Sequence, residues 1–215
     1  SSLLFCPTEV SQRNLEKEGI TAGVHVVGDV MYDASLYYRE LSKSRPSAER
    51  IQHRLNLPKD FVLMTLHRAE NTDSLERLSG ICAALNTFRD LPVVFPVHPR
   101  TRKALEKAGI KLQNHILQID PVGFFDMIDL ESLCSLVVTD SGGVQKEAYF
   151  FEKPCITLRD ETEWVETVET GWNTLAGSDT TKILNALTSV RNPDDHPLLY
   201  GDGHAAEKIM HSTLQ

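Results

Sequence analysis

Leu133-Cys134-Ser135-Leu136-Val137-Val138-Thr139-Asp140-Ser141-Gly142-Gly143-Val144-Gln145-Lys146-Glu147 decides the fold class. The apolar run 133–138, with its β-branched pair, reads as a strand buried on both faces. It breaks into Asp-Ser-Gly-Gly, and Val144 to Phe151 then reads as a helix. Two adjacent glycines permit φ > 0 and let the backbone approach a ligand with no Cβ in the way. A helix opening there turns free N–H groups and its positive dipole end toward the crevice, which favours an anion such as phosphate. Glu147 stands about one turn in, where its carboxylate can face the same crevice and accept hydrogen bonds from hydroxyls. The plainer reading of the same residues is a strand, a turn and a helix that Asp140 or Ser141 merely caps.

Outward from this stretch the pattern repeats. Toward the N-terminus, Phe61 to Leu66 reads as a strand ending in His67-Arg68-Ala69-Glu70-Asn71. Leu75, Leu78, Ile81, Cys82, Leu85 and Phe88 recur at helical spacing behind Asp73 as N-cap. Pro92 to Val97 is the next strand, ending in His98-Pro99-Arg100, with a helix over Lys103 to Lys107 closed by Gly109. Ile116 to Ile119 is a strand ending in Asp120-Pro121-Val122-Gly123, and Phe124 to Cys134 a helix. Toward the C-terminus, Cys155 to Leu158 is a strand ending in Arg159-Asp160-Glu161-Thr162-Glu163-Trp164. Gly171 to Leu175 is a short strand, followed by helices over Thr180 to Val190 and Ala205 to Leu214. Such alternation of strands and helices predicts right-handed βαβ units: an α/β, doubly wound parallel sheet.

The first 60 residues are less regular. Strands over Leu3 to Cys6 and Val24 to Val27 flank a helix capped by Thr8 and ended by Gly19. A long helix starts near Val30, Pro46 interrupts it, and Ser47 restarts a helix to Leu55. A linker or seam is expected here, with the part up to Gly28 and the part after Lys59 in different domains. The chain also opens on a strand-like run without a leading cap, as a piece of a longer chain would.

At 215 residues the chain can bury a sizeable core. A net charge of −8 argues against nucleic acid or an anionic membrane as the main partner. Any phosphate must then be held by local groups. No apolar run approaches the ~20 residues that cross a bilayer. Cys6, Cys82, Cys134 and Cys155 are scattered in apolar contexts with no CxxC pair, as expected of reduced core cysteines in a cytoplasmic protein.

In a doubly wound sheet the ligand sits beyond the carboxyl ends of the strands, where the strand order reverses. Those ends collect His67, Arg68, Glu70 and Asn71; His98 and Arg100; Asp120; Asp140 to Gly143; and Arg159, Asp160, Thr162 and Glu163. Two separate strands that end in His close to Arg exceed what a polar loop requires. His67 could contact a diphosphate or shuttle a proton, or be a satisfied strand-end histidine. The arginines could bind phosphate or be solvated loop charges. Phe124-Phe125 could stack on a base or pack in the core. Ser141 lacks the Gly-x-Ser-x-Gly elbow of a hydrolase nucleophile, and the histidines lack the spacing of a zinc site.

Four ordered runs carry a resemblance: Thr65-Leu66-His67-Arg68-Ala69-Glu70-Asn71-Thr72-Asp73, Pro96-Val97-His98-Pro99-Arg100, Thr139 to Glu147, and Leu158-Arg159-Asp160-Glu161-Thr162-Glu163-Trp164. The chain resembles the non-hydrolysing UDP-N-acetylglucosamine 2-epimerases, which have glycosyltransferase-B architecture. The first and last runs are similar to the branch acting on UDP-2,3-diacetamido-2,3-dideoxyglucuronate. The resemblance implies two Rossmann-like domains, of which this chain is chiefly the C-terminal, UDP-binding one. Residues 1–28 would end the N-terminal domain, 29–59 would be linker helices, 60–200 the UDP domain and 201–215 a returning helix. It implies a UDP-sugar ligand, no cofactor and a homodimeric full-length enzyme. The implied chemistry is elimination of UDP across C1 and C2 followed by re-addition. Ser141, Gly142 and Gly143 would hold the diphosphate and Glu147 the ribose. His67 would assist departure of UDP, and Phe124 or a neighbour would approach the uracil. Arg68, His98 and Arg159 would line the UDP site, and Glu70, Asn71, Thr162 and Glu163 the cleft or a regulatory site. The N-terminal acidic residues of the family are absent here, so the fragment alone is expected to bind UDP without turnover. The donor domain of a glycosyltransferase and a non-catalytic UDP-sugar binding module are the other readings.

Overall fold

The computed structural model describes residues 2–214; Ser1 and Gln215, the outer ends of the first and last expected segments, lie outside them. Strand β1 (Leu4–Cys6), helix α1 (Glu9–Lys17) and strand β2 (Val24–Val26) form a two-stranded parallel unit. Helix α2 (Val30–Lys43) follows, then a 3₁₀ turn at Ser47–Glu49 and a short helix α3 (Ile51–Arg54). The expected single helix from Ser47 to Leu55 is thus broken, because Arg50 is extended, at φ −75° and ψ 141°.

The main sheet follows. Its strands are β3 (Val62–Thr65), β4 (Val93–Pro96), β5 (Ile116–Ile119), β6 (Leu136–Thr139), β7 (Cys155–Thr157) and β8 (Asn173–Leu175). The intervening helices are α4 (Ala69–Thr72), α5 (Leu75–Thr87), α6 (Pro99–Ala108), α7 (Phe124–Leu133), α8 (Gly142–Phe150) and α9 (Val165–Glu169). Helices α10 (Thr180–Ser189) and α11 (Ala205–Thr213) finish the chain. All pairings are parallel, in the order β5-β4-β3-β6-β7-β8. That is the doubly wound order, with its reversal between β3 and β6.

Alternation along the strands builds two cores. Val62 and Met64, Val93 and Phe95, and Leu136 and Val138 join Leu78, Ile81 and Leu85 of α5 and Ile183 and Leu187 of α10 on one face. Their neighbours Phe61, Leu63, Val94 and Val137 join Leu130 of α7 and Ala148 of α8 on the other. A period-two strand with both faces buried leaves its polar groups only at its ends.

Several boundaries move. Ser74, not Asp73, caps α5, with its side chain accepting the Arg77 N–H, and the unforeseen turn α4 precedes it. Helix α6 starts at Pro99, four residues early: proline at the first helical position sacrifices no hydrogen bond and brings the required φ. Helix α7 runs through Leu133, so β6 begins at Leu136 rather than Leu133. The four cysteines are free and buried. Among the described residues no helix is long and apolar enough to cross a membrane.

Candidate functional site

At the reversal, β3 and β6 lie side by side, with Thr65 opposite Thr139 and their hydroxyls 2.6 Å apart. The two chains that leave this edge are bound by Asp140, which is fully buried. Its carboxylate accepts the backbone N–H of His67 (3.1 Å) and Arg68 (2.9 Å) and the side-chain amide of Asn71 (3.2 Å). Asn71 also donates to the Leu158 carbonyl and accepts from Arg77. With no exposed surface, Asn71 belongs to the frame beneath the loops rather than to a cleft wall.

On this frame α8 begins. Ser141 is its N-cap: the hydroxyl accepts from Val144, and the Ser141 N–H donates to Thr139. Gly142 and Gly143 are the first two helical residues, and neither has the positive φ that the glycine pair was expected to permit. Nor does lack of space demand a glycine. A Cβ on Gly142 would lie 3.5 Å from the Trp164 indole nitrogen and 3.6 Å from both the Arg68 guanidinium and the Glu163 carboxylate. These are ordinary contact distances, and they bring the Arg68 guanidinium and the Glu163 carboxylate to the N-terminal turn of α8, the end of a helix that favours an anion.

Glu147, one turn on, is half-buried. Burial raises its carboxyl, while a hydrogen bond from Glu131 of α7 works the other way. Glu131 is 1% exposed. Burial first, then the adjacent Glu147 charge, pushes its carboxyl well above the ordinary range. Both shifts favour the protonated form, most strongly at Glu131, which lies deeper than Glu147.

The other candidates are distributed as follows. The exposed rings of His67 and His98 stand 5.8 Å apart at the ends of neighbouring strands. His98 Nδ1 accepts the Arg100 N–H and so caps α6, which puts the proton of the neutral ring on Nε2. Arg100 itself turns to Asp73 and Thr72. Phe124 is 53% exposed at the start of α7 and meets Tyr38 edge-on at 5.0 Å, while Phe125 packs behind it. Glu70 is drawn outward by Arg77, at 3.0 Å. Buried Arg159 gives both nitrogens of its fork to Glu163, at 2.8 and 2.9 Å. The Thr162 hydroxyl donates to Gln145 and accepts the Trp164 N–H, so it staples its loop to α8. Beyond that loop a cavity of about 470 Å³ opens between Glu163 and Val165 on one side and Arg13, Asn14 and Lys17 of α1 on the other. Among the described residues no group of three His, Cys, Asp or Glu is placed to hold a metal ion.

Four contributors escaped the sequence reading: Asp140 as clamp, Glu131 under Glu147, Lys146, and the Trp164 indole, which donates to the Gly142 carbonyl at 2.8 Å. A carboxylate in the apolar helix stretch 124–134 was a readable sign of the second. The others depend on contacts between distant segments.

Comparison with known proteins shows the family. The family profile for UDP-N-acetylglucosamine 2-epimerase matches residues 1–214. A UDP-N-acetylglucosamine 2-epimerase homolog of Methanococcus maripaludis is 46% identical over 217 residues, 98% of this chain and 60% of its own. The UDP-2,3-diacetamido-2,3-dideoxy-D-glucuronate 2-epimerase of Pseudomonas aeruginosa is 46% identical over 218 residues, 97% of this chain and 58% of its own. Among solved structures, the Methanocaldococcus jannaschii UDP-GlcNAc 2-epimerase in complex with UDP-GlcNAc and UDP superposes with a TM-score of 0.88 at 36% identity. It covers all of this chain and 61% of that one. The chain thus spans about three-fifths of the length of the relatives it matches. It belongs to the UDP-N-acetylglucosamine 2-epimerase family.

Proposed function

We propose that this chain forms the UDP-holding wall of an enzyme that inverts C2 of a UDP-linked 2-acetamido sugar. The observation that carries the reading is the start of α8. Ser141 caps the helix, the first-turn N–H groups of Gly142 and Gly143 lie beside the Arg68 guanidinium, and the Glu147 carboxylate follows one turn on. A diphosphate suits the N–H groups and the guanidinium, and a ribose diol the carboxylate. The Methanocaldococcus structure, solved with UDP-GlcNAc and UDP, supports the ligand class.

In this reading a base removes the C2 proton as the bond from C1 to the UDP oxygen breaks, leaving a glycal and UDP. Return of the UDP oxygen to C1 and of a proton to the opposite face of C2 gives the epimer. The chain contributes stabilisation of the leaving diphosphate. Donors fixed before the reaction lower the cost of the charge that develops on the departing oxygen. Arg68 and the α8 N–H groups supply that charge complement, and His67 donates to the phosphate from the end of β3. Phe124, half-exposed at the start of α7, offers a face for the uracil. Of the carboxylates near the seat, Asp140 is bound within the frame and Glu131 is buried under Glu147, while Glu147 and Glu163 are taken up by the ribose and by Arg159. The C2 bases accordingly belong to the part of the relatives that this chain does not match. The Pseudomonas relative supports a diacetamido-uronic sugar as the form used.

Calorimetric titration of the 215-residue chain with UDP, alongside proton NMR of deuterium uptake at C2 of UDP-GlcNAc, tests the reading. Saturable UDP binding without C2 exchange is expected. Absence of UDP binding overturns the seat, and rapid exchange by this chain alone overturns the assignment of the bases.

A further inference from the structure

Trp164 closes over the start of α8. Its indole N–H donates to the Gly142 carbonyl at 2.8 Å. Because a peptide unit is rigid and planar, fixing that oxygen also fixes the N–H of Gly143 on the opposite side of the same plane. The glycines on either side of this plane bring no Cβ to restrain it beyond the helix itself. The indole is itself held. The Trp164 N–H donates to Thr162, whose hydroxyl donates to Gln145 of α8 at 2.6 Å, and the Thr167 hydroxyl donates to the Trp164 carbonyl.

Beneath the ring lies Lys146, its ammonium 4.3 Å from the ring centre and 2.6 Å from Asp29. Both partners of this ion pair are under 10% exposed. The buried pair is held by these contacts, and the ring face adds attraction that desolvation strengthens. Asp29 is in turn the N-cap of α2, accepting from Met31, and its own N–H donates to the Tyr200 carbonyl. Gly28 before it has φ +95°, and a Cβ there would strike that same carbonyl at 2.9 Å. A continuous line of polar contacts therefore runs from the end of β2, through Asp29, Lys146 and Trp164, to the plane between Gly142 and Gly143.

We propose that Trp164 is a positioning residue of the diphosphate seat, holding the Gly142–Gly143 peptide with its N–H aimed at the anion, and that Lys146 anchors it to Asp29. The inference rests on the reading of the seat given above. It makes a distinction that a purely supportive tryptophan does not: the phosphates feel its loss, and the nucleoside does not.

The test is Trp164→Phe, which keeps a ring over Lys146 and removes only the donor. Calorimetry with UDP is expected to show affinity reduced roughly three- to tenfold, the effect of one hydrogen bond that orders a binding group. Uridine binding, followed by saturation-transfer NMR, is expected to stay within about twofold. Equal losses for UDP and uridine, or an unchanged UDP affinity, overturn the proposal. Failure of the unaltered chain to bind UDP overturns the seat and this inference together. A second measurement needs no variant. Of the two indole N–H resonances, the one from Trp164 is expected to shift on addition of UDP and the other, held by the Asp195 carbonyl, to stay. Two unmoved resonances in the UDP-saturated chain count against the proposal.

Discussion

The carboxylate of Asp140 accepts the backbone N–H of Arg68 at 2.9 Å, joining the ends of β6 and β3 where the strand order reverses. The gap that a doubly wound sheet opens for its ligand is thus bridged by one buried anion with three N–H donors. The donors fix the His67–Arg68 turn, and through it the arginine that faces Gly142.

Asp140→Ala leaves two backbone N–H groups without acceptors, together with one N–H of the Asn71 amide, whose other N–H keeps the Leu158 carbonyl. Each costs about 1–3 kcal/mol when stranded, although partial hydration softens the sum. We expect a loss of ~2–4 kcal/mol in urea unfolding and weaker UDP binding by the folded fraction. A loss below ~1 kcal/mol contradicts the clamp.

The strands and the site loops were legible for one reason: β3 and β6 are buried on both faces, so hydrophobicity marks their extent and polar residues mark their ends. The same rule found His67, Ser141 and Arg159 without any contact information. It could not show that Asn71 and Thr162 are consumed by hydrogen bonds inside the frame. Those partners, Asp140 and Gln145, are 69 and 17 residues away, and their proximity follows from sheet order. The start of α6 at Pro99 lies four residues before the expected Lys103, and the cap of α5 is Ser74, one residue after the expected Asp73. The role of Trp164 was invisible for the same reason as that of Asn71.

Glu147 is expected to carry the ribose. Glu147→Ala removes charge-assisted hydrogen bonds and should weaken UDP binding by ~1–3 kcal/mol in calorimetry. Pyrophosphate, which has no ribose, should bind the variant as it binds the parent. Unchanged UDP affinity refutes the role.

Glu131 gives stability a pH dependence that can be isolated. Its carboxyl is raised well above the ordinary 4.5 by burial and by Glu147, so the folded chain keeps a proton that the unfolded chain releases. Its contribution is fully present below 4.5 and is lost as pH rises toward the folded value. In that window the slope approaches ~1.4 kcal/mol per pH unit. Glu131→Gln keeps an N–H donor for Glu147 and has no proton to lose. Urea midpoints measured from pH 5 to pH 8 should therefore fall less steeply in the variant. Parallel profiles rule out a raised Glu131 carboxyl.

Glu163 behaves in the opposite sense. Hydrogen bonds from Arg159 hold its carboxyl down at about 2, so its contribution is present above 4.5 and disappears as pH falls through 2. Its side chain is 54% exposed, which limits that contribution to about 0.5 kcal/mol after screening. The larger consequence concerns the ligand. The Glu163 carboxylate stands beside Gly142, against the space assigned to the diphosphate, and it occupies the Arg159 fork. Glu163→Gln removes a like charge from that space and loosens the hold on Arg159. UDP should then bind roughly two- to fivefold more tightly at low salt, with the gain shrinking at high ionic strength. The comparison is a pair of UDP titrations at about 20 mM and about 500 mM salt, where the Debye length changes severalfold. Weaker binding by the variant at both would mean that Glu163 accepts a hydrogen bond from the ligand instead of opposing its charge.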